Sequence, residues 1–147
     1  MLSLTYDVIR TTVLSMKETG RTAAPTQLPT EAELEILNIL WALGASTVRD
    51  VHNHISKGVG YTTVLKQMQL MFEKGLLTRT EQFRSHIYTA NVAKQQTQRR
   101  LAGNLLHRAF DGSARDLVLG ALSAQKVSAK ELTEIRKLLD DYEKGTV

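Results

Sequence analysis

The chain has 147 residues, of which 42% are hydrophobic, 5% aromatic and 23% charged, a composition typical of a small globular protein with an aliphatic core. It contains no cysteine, which excludes disulfides, thiolate metal sites and thiol nucleophiles. No apolar run is long enough to span a bilayer, and charged residues interrupt the N-terminal apolar stretch that a secretory signal would need. We therefore expect a cytoplasmic protein without membrane insertion.

The positive charge is concentrated in the middle of the chain. The formal net charge is +4, and residues 49–108 hold ten Lys or Arg against three Asp or Glu, whereas residues 109–147 hold six against seven. A phosphate-binding face would require such a concentration, but an ordinary solvated basic surface has the same signature. Charge alone leaves both interpretations open.

Residues 1–27 are predicted to form an N-terminal arm outside the folded domains. A short apolar stripe between Leu2 and Leu14 is followed by a polar stretch that contains Gly20 and Pro25. This pattern favours a mobile arm, and the alternative is a helix that packs on a partner or reaches DNA.

Three short helices are predicted next. Thr30 followed by Glu33 is a capping-box pattern that starts the first helix, and Gly44 is expected to end it in a left-handed conformation. Thr47 caps the second helix, and the third runs from about Tyr61 to Lys74. The inner face of the third helix is predicted to comprise Val64, Leu65, Met68, Met71 and Phe72.

The hydrophobic period then changes from helix to strand. Leu77–Glu81 and His86–Ala90 alternate, and the polar turn Gln82–Ser85 joins them. Three helices followed by a β-hairpin is the order of a winged helix-turn-helix domain, which we predict for residues 28–91. In this fold the third helix enters the major groove of DNA, and the hairpin, or wing, lies along the backbone or the minor groove.

Polar side chains on the outer face of the third helix and around the wing are candidates for contact with duplex DNA. Residues at the helix N-terminus can meet phosphates and base edges, Gln can pair with adenine, and Arg or Lys can neutralise phosphates. For any one residue, solvation of an exposed helix is the alternative, but the set as a whole favours DNA. The candidate DNA-binding residues are Tyr61, Thr62, Thr63, Lys66, Gln67, Gln69, Arg79, Arg84 and His86.

Residues 92–147 are predicted to be a helical dimerisation domain. One helix covers Val92 to about Phe110, a second contains Leu117–Leu119, and Ser128 with Glu131 is a second capping box. These helices are too few to form their own core, whereas a second copy would bury their apolar stripes and match a palindromic operator. The fold class is thus mainly α with a small β-hairpin wing. The predicted dimerisation residues are Leu101, Leu105, Leu117, Leu119, Leu132, Ile135, Leu138 and Leu139.

The sequence contains no convergent set of catalytic groups. It has no Gly-rich phosphate loop, nucleophile motif or HExxH, and His52 and His54 point apart on their helix and form a poor metal pair. We predict neither an enzyme nor a bound cofactor or metal. Two alternatives are a winged-helix regulator that senses a metal through His and carboxylate ligands, and a winged helix used only for protein contact.

Eight motifs, in a characteristic order and spacing, lie between Leu28 and about Lys144. They are Leu28–Leu37, Trp41, Thr47–Val51, Tyr61–Val64, Glu73–Leu77, His86–Tyr88, Leu117–Leu119 and Ser128–Leu132. Through them the chain resembles the BlaI/MecI/CopY family of penicillinase repressors. The resemblance implies a dimeric repressor of dyad operators that controls a β-lactamase-like or stress-response operon. It also implies a membrane sensor metalloprotease as a partner, and recognition-helix contacts by Thr62, Thr63 and Lys66.

Three features depart from the family pattern. Gly120-Ala121 replaces the Asn-Phe bond at which the best-known members are cleaved, so the cleavage rule does not carry over. The copper-responsive branch senses metal with C-terminal cysteines, and this chain has none. Leu70 replaces an Arg that is common in the family, which removes one contact to a phosphate or an acidic partner.

Overall fold

The computed structural model describes residues 25–147, so almost all of the predicted arm lies outside the described residues. Within them the prediction of a mainly helical chain with one β-hairpin is confirmed. The elements are α1 (Glu31–Leu43), α2 (Val48–His54), α3 (Tyr61–Glu73), β1 (Leu77–Gln82), β2 (Ser85–Ala90), α4 (Lys94–Ala109), α5 (Ala114–Ala124) and α6 (Ala129–Glu143). The chain divides into two compact units between Leu101 and Ala102. No helix of residues 25–147 is long and apolar enough to cross a membrane.

Capping boxes start the first two helices. The Thr30 hydroxyl accepts a hydrogen bond from the Glu33 N–H at 3.2 Å, and the Glu33 carboxylate accepts from the Thr30 N–H at 2.9 Å. Thr47 and Asp50 make the same reciprocal pair at 3.1 and 3.0 Å. Gly44 has the expected positive φ of 82°, but its ψ of −155° is extended, so the predicted left-handed cap is wrong in that angle.

The core of the first unit lies between the three helices and the hairpin. Of the predicted inner face of α3, Val64, Met68 and Met71 are fully buried, while Leu65 and Phe72 pack at its edge. The other large side chains that are fully buried there are Ile36, Leu37, Leu40, Val51, Leu77 and Tyr88.

Two contacts fix the wing to the helices. Ser46, between α1 and α2, exchanges backbone hydrogen bonds with Tyr88 of β2 at 2.9 and 2.8 Å. The Trp41 indole N–H donates to the Val92 carbonyl at 2.9 Å, which ties α1 to the residue after the hairpin. Because Tyr88 within β2 and Val92 just after the strand are both held, the base of the wing is fixed against the helices.

Glu33 is a buried carboxylate whose partners come from the start of α1 and the end of α3. Besides its cap bond to Thr30, it accepts a hydrogen bond from the Lys74 ammonium at 2.9 Å. Burial raises the pKa of Glu33, but the hydrogen bonds from Thr30 and Lys74 outweigh it, so the pKa lies below its ordinary value. The pair joins the start of α1 to the end of α3.

We expect Glu33→Gln to lower the free energy of unfolding by about 1–3 kcal/mol near neutral pH, because the charge-assisted bond to Lys74 is removed while a cap acceptor remains. Since the folded pKa of Glu33 is depressed, its stabilisation is present above the unfolded pKa and lost as pH falls through the folded pKa. Urea unfolding across this acid range should show the two proteins converging. A gap that persists in strong acid would contradict the assignment.

The second unit, described by itself, leaves its apolar side chains uncovered in a single copy. Neither α5 nor α6 has a fully buried residue. Ser113 and Ser128 cap these helices, but Glu131 makes no return bond, so the second capping box is only half formed. The Phe110 ring packs against Gly120, where a Cβ would lie 3.3 Å from the nearest ring carbon. The exposed large apolar residues of this unit are Leu105, Val118, Leu119, Leu122, Leu138, Leu139, Tyr142 and Val147.

Candidate nucleic-acid interface

The outer face of α3 is polar and accessible. Thr62, Lys66 and Gln69 follow one another at helical spacing and are all exposed; Thr63 is exposed beside them, and Gln67 is half-buried. The N-cap, Gly60, provides no side-chain hydrogen bond, so the first backbone N–H groups of α3 can receive an anionic ligand.

A groove separates this helix from the wing. It has a volume of about 460 Å³ and lies between the start of α2, the first turns of α3 and the outer part of the hairpin. Among the described residues that line it are two arginines and one histidine, and none is acidic. We call it the wing groove; its lining is Thr47, Val48, Arg49, Tyr61, Leu65, Arg84, Ser85, His86 and Tyr88.

Arg49 also lines this groove, although it is not among the candidates predicted from the sequence. Its guanidinium lies 5.3 Å from the centroid of the Tyr61 ring, and the same ring meets His52 edge-on at 5.8 Å. A signal was available, because a cation in the first turn of a helix is disfavoured by the helix dipole and calls for another reason. A role in binding an anion would supply that reason.

Of the three predicted DNA-binding residues of the wing, two line the wing groove and one does not. Arg84 and His86 are exposed and line the wing groove, and the His86 ring packs edge-on against Tyr88 at 6.2 Å. Arg79 lies opposite Tyr88 in the strand register, but its guanidinium stacks on Phe72 at 4.0 Å from the ring centroid. Arg79 therefore lies apart from the groove, and its contact with DNA stays a prediction.

Tyr88 contributes a buried hydroxyl at the same place. Its side chain is fully buried and lines the groove, and its Oη is the one buried side-chain polar atom of residues 25–147 without a hydrogen-bond partner. A buried donor without a partner costs free energy.

Asp50, the carboxylate next to Arg49 in the sequence, is hydrogen-bonded to Thr47. Hydrogen bonding to the backbone and then the side chain of Thr47 lowers the pKa of the Asp50 carboxyl. Its charge therefore serves the N-terminus of α2, and Asp50 does not line the groove.

The metal-sensing alternative finds no site in the described part of the chain. Across residues 25–147, no three His, Asp or Glu side chains lie close enough together to hold a metal ion.

The family model and the relatives that match this chain in sequence point to the same family. Residues 29–141 match the model of the family described as penicillinase repressor. A penicillinase repressor of Bacillus licheniformis is 23% identical over 114 residues, covering 76% of this chain and 89% of that protein. One from Staphylococcus aureus is 23% identical over 115 residues, covering 77% and 91%. The transcriptional regulator BlaI of Mycobacterium tuberculosis is 27% identical over 118 residues, covering 78% and 85%.

One solved structure aligns with almost the whole chain. A MarR family protein from Bacillus stearothermophilus aligns over 98% of this chain and 94% of its own, at 16% identity and a TM-score of 0.42.

Proposed function

Because the chain belongs to the penicillinase repressor family and is a DNA-binding transcriptional regulator, we propose that it acts as a homodimeric repressor of a two-fold symmetric operator. The matched relatives are named as repressors or regulators, which agrees with the prediction that the chain is not an enzyme. The regulated operon is proposed to be β-lactamase-like or stress-responsive. Gly120 and Ala121 lie inside α5, at the place where the resemblance locates a cleaved bond, so the proposal includes no cleavage step.

The wing groove is the observation that carries this proposal. When α3 enters the major groove and the wing reaches the adjacent minor groove, the sugar-phosphate backbone between the two grooves must cross the space between α3 and the wing. Within residues 25–147, that space is lined by Arg49, Arg84 and His86, and by no acidic residue. The lining thus supplies charge for one or two phosphates and fixes the register of the protein on the duplex.

In this proposal, the side chains on the outer face of α3 contact the bases. Thr62, Lys66 and Gln69 form one line along the helix, and Thr63 with Gln67 forms the next. Lys can donate to guanine O6 and N7, Gln can pair with adenine, and Thr can contact a thymine methyl group. The helix therefore carries donors and acceptors for three to four base pairs per half-site, about the number that one recognition helix contacts.

The proposal is tested by selecting fragments of the source genome on the purified protein and footprinting the enriched sites. We expect an inverted repeat with half-sites about one helical turn apart, or a multiple of it, and one dimer per site. Enrichment without symmetry would contradict the dimeric mode. Binding of duplexes with no sequence preference would contradict the repressor function.

A further inference from the structure

The tip of the wing presents a single aromatic ring to solvent. Phe83 is 91% exposed, and within the hairpin, residues 77–90, it is the one large apolar side chain in that position. Its sequence neighbours Gln82 and Arg84 are polar, and Arg84 is exposed and lines the wing groove. The ring contributes nothing to the core, so the fold gives no reason for a phenylalanine there.

The backbone of the tip adds a second anomaly. Gln82 pairs with Ser85, which leaves Phe83 and Arg84 as the two central residues of the turn, and their φ angles are +51° and +63°. Turns with positive φ at both central residues strongly favour Asn-Gly, because side chains with a Cβ are strained in this region. Two bulky residues therefore occupy positions where the fold alone would select small ones, and such strain is concentrated at functional sites.

We propose that Phe83 is an apolar wedge that enters the minor groove and partly unstacks one base step beside each half-site. This rests on the proposed function, in which the wing reaches the minor groove. Minor-groove proteins use Phe and other apolar side chains in this way, accompanied by Arg, which the negative potential of the groove attracts. A lone protruding ring beside Arg84 matches that chemistry, whereas a protein-docking surface would present a patch of several apolar side chains.

The wedge gives the protein a means of selecting sequence without a hydrogen bond to a base. Pyrimidine–purine steps unstack and kink more easily than other steps, so an operator with such a step beneath the wing costs less to deform. We therefore expect a TA or CA/TG step at the same position in both half-sites.

The test uses the full chain bound to its selected operator, with 2-aminopurine placed in turn at each step beside a half-site. The wild-type protein should raise the fluorescence at one step per half-site and bend the duplex in a circular-permutation assay. Phe83→Ala should abolish both signals and weaken binding roughly a hundred-fold, because the dimer loses one base–aromatic contact in each half-site and each is worth about ten-fold. Phe83→Leu should keep the wedge, and Gln82→Ala, a change at the same tip without the ring, should behave like wild type.

A further variant separates a DNA role from a structural one. Asn tolerates positive φ, so Phe83→Asn should raise the Tm while abolishing the fluorescence change. Specific wild-type binding with no fluorescence change at any step would overturn the wedge and leave the proposed function intact. Absence of specific duplex binding by the wild type would contradict the proposed function itself. A Phe83→Ala protein with wild-type fluorescence and bending would also overturn the wedge.

Discussion

Arg84→Ala and Lys66→Ala are each expected to weaken operator binding by roughly thirty-fold or more, because one contact contributes about 1–3 kcal/mol and a dimer loses it in both half-sites. Arg84 lines the wing groove, where the backbone is proposed to cross, so its removal should weaken all duplexes alike. Lys66 is exposed on the outer face of α3, so its removal should relax the preference at one base pair per half-site. Arg49→Ala should resemble Arg84→Ala.

Anisotropy titrations at several salt concentrations distinguish these roles. Removing one phosphate-binding cation should reduce the slope of log K against log salt by about one, and thus by about two for a dimer in which both copies carry the variant. Lys130→Ala, which removes the same charge from the first turn of α6, is the matched control and should leave affinity and slope unchanged. If Arg84→Ala bound with the wild-type affinity and slope, the wing groove would not hold the backbone.

The first residues of the helices were predictable because the hydrogen bonds that cap them join residues close together in the sequence. Thr30 with Glu33 and Thr47 with Asp50 complete their hydrogen bonds within four residues of sequence, so the pattern specifies the geometry. Ser128 shows the limit of this reasoning, since its hydroxyl caps α6 but the exposed Glu131 forms no return bond.

Side-chain contacts between different helices and strands could not be predicted from the sequence pattern. Glu33 was predicted as a cap, but its bond to Lys74 joins residues far apart in sequence and depends on how α3 packs against α1. Arg79 was expected at the DNA face, yet the strand register directs its guanidinium onto Phe72. Arg49 carried a sequence signal as a cation in the first turn of a helix, but its place beside the wing depends on how α2 packs against the hairpin. Each outcome follows from tertiary packing, which periodicity does not encode.

The second large expected effect concerns dimerisation through α6. In a single copy Leu139 is 58% exposed, on the stripe that includes Leu132 and Ile135. Burying one leucine contributes about 1.5–3 kcal/mol, and two-fold symmetry places each substituted residue in the interface twice. Leu139→Glu should therefore weaken the dimer by roughly a hundred- to ten-thousand-fold, with the added cost of burying two carboxylates. Sedimentation velocity over a concentration series measures the change.

Helix content separates loss of the dimer from loss of the fold. Because Leu139 is exposed in the single chain, the glutamate should leave the helical far-UV circular dichroism of the chain unchanged. Lys137→Glu changes an exposed position next to the stripe and should remain dimeric. The monomeric variant should still bind an isolated half-site weakly while losing the affinity that a dimer gains from engaging both half-sites together. A Leu139→Glu protein that sediments as an unchanged dimer would locate the interface on other residues.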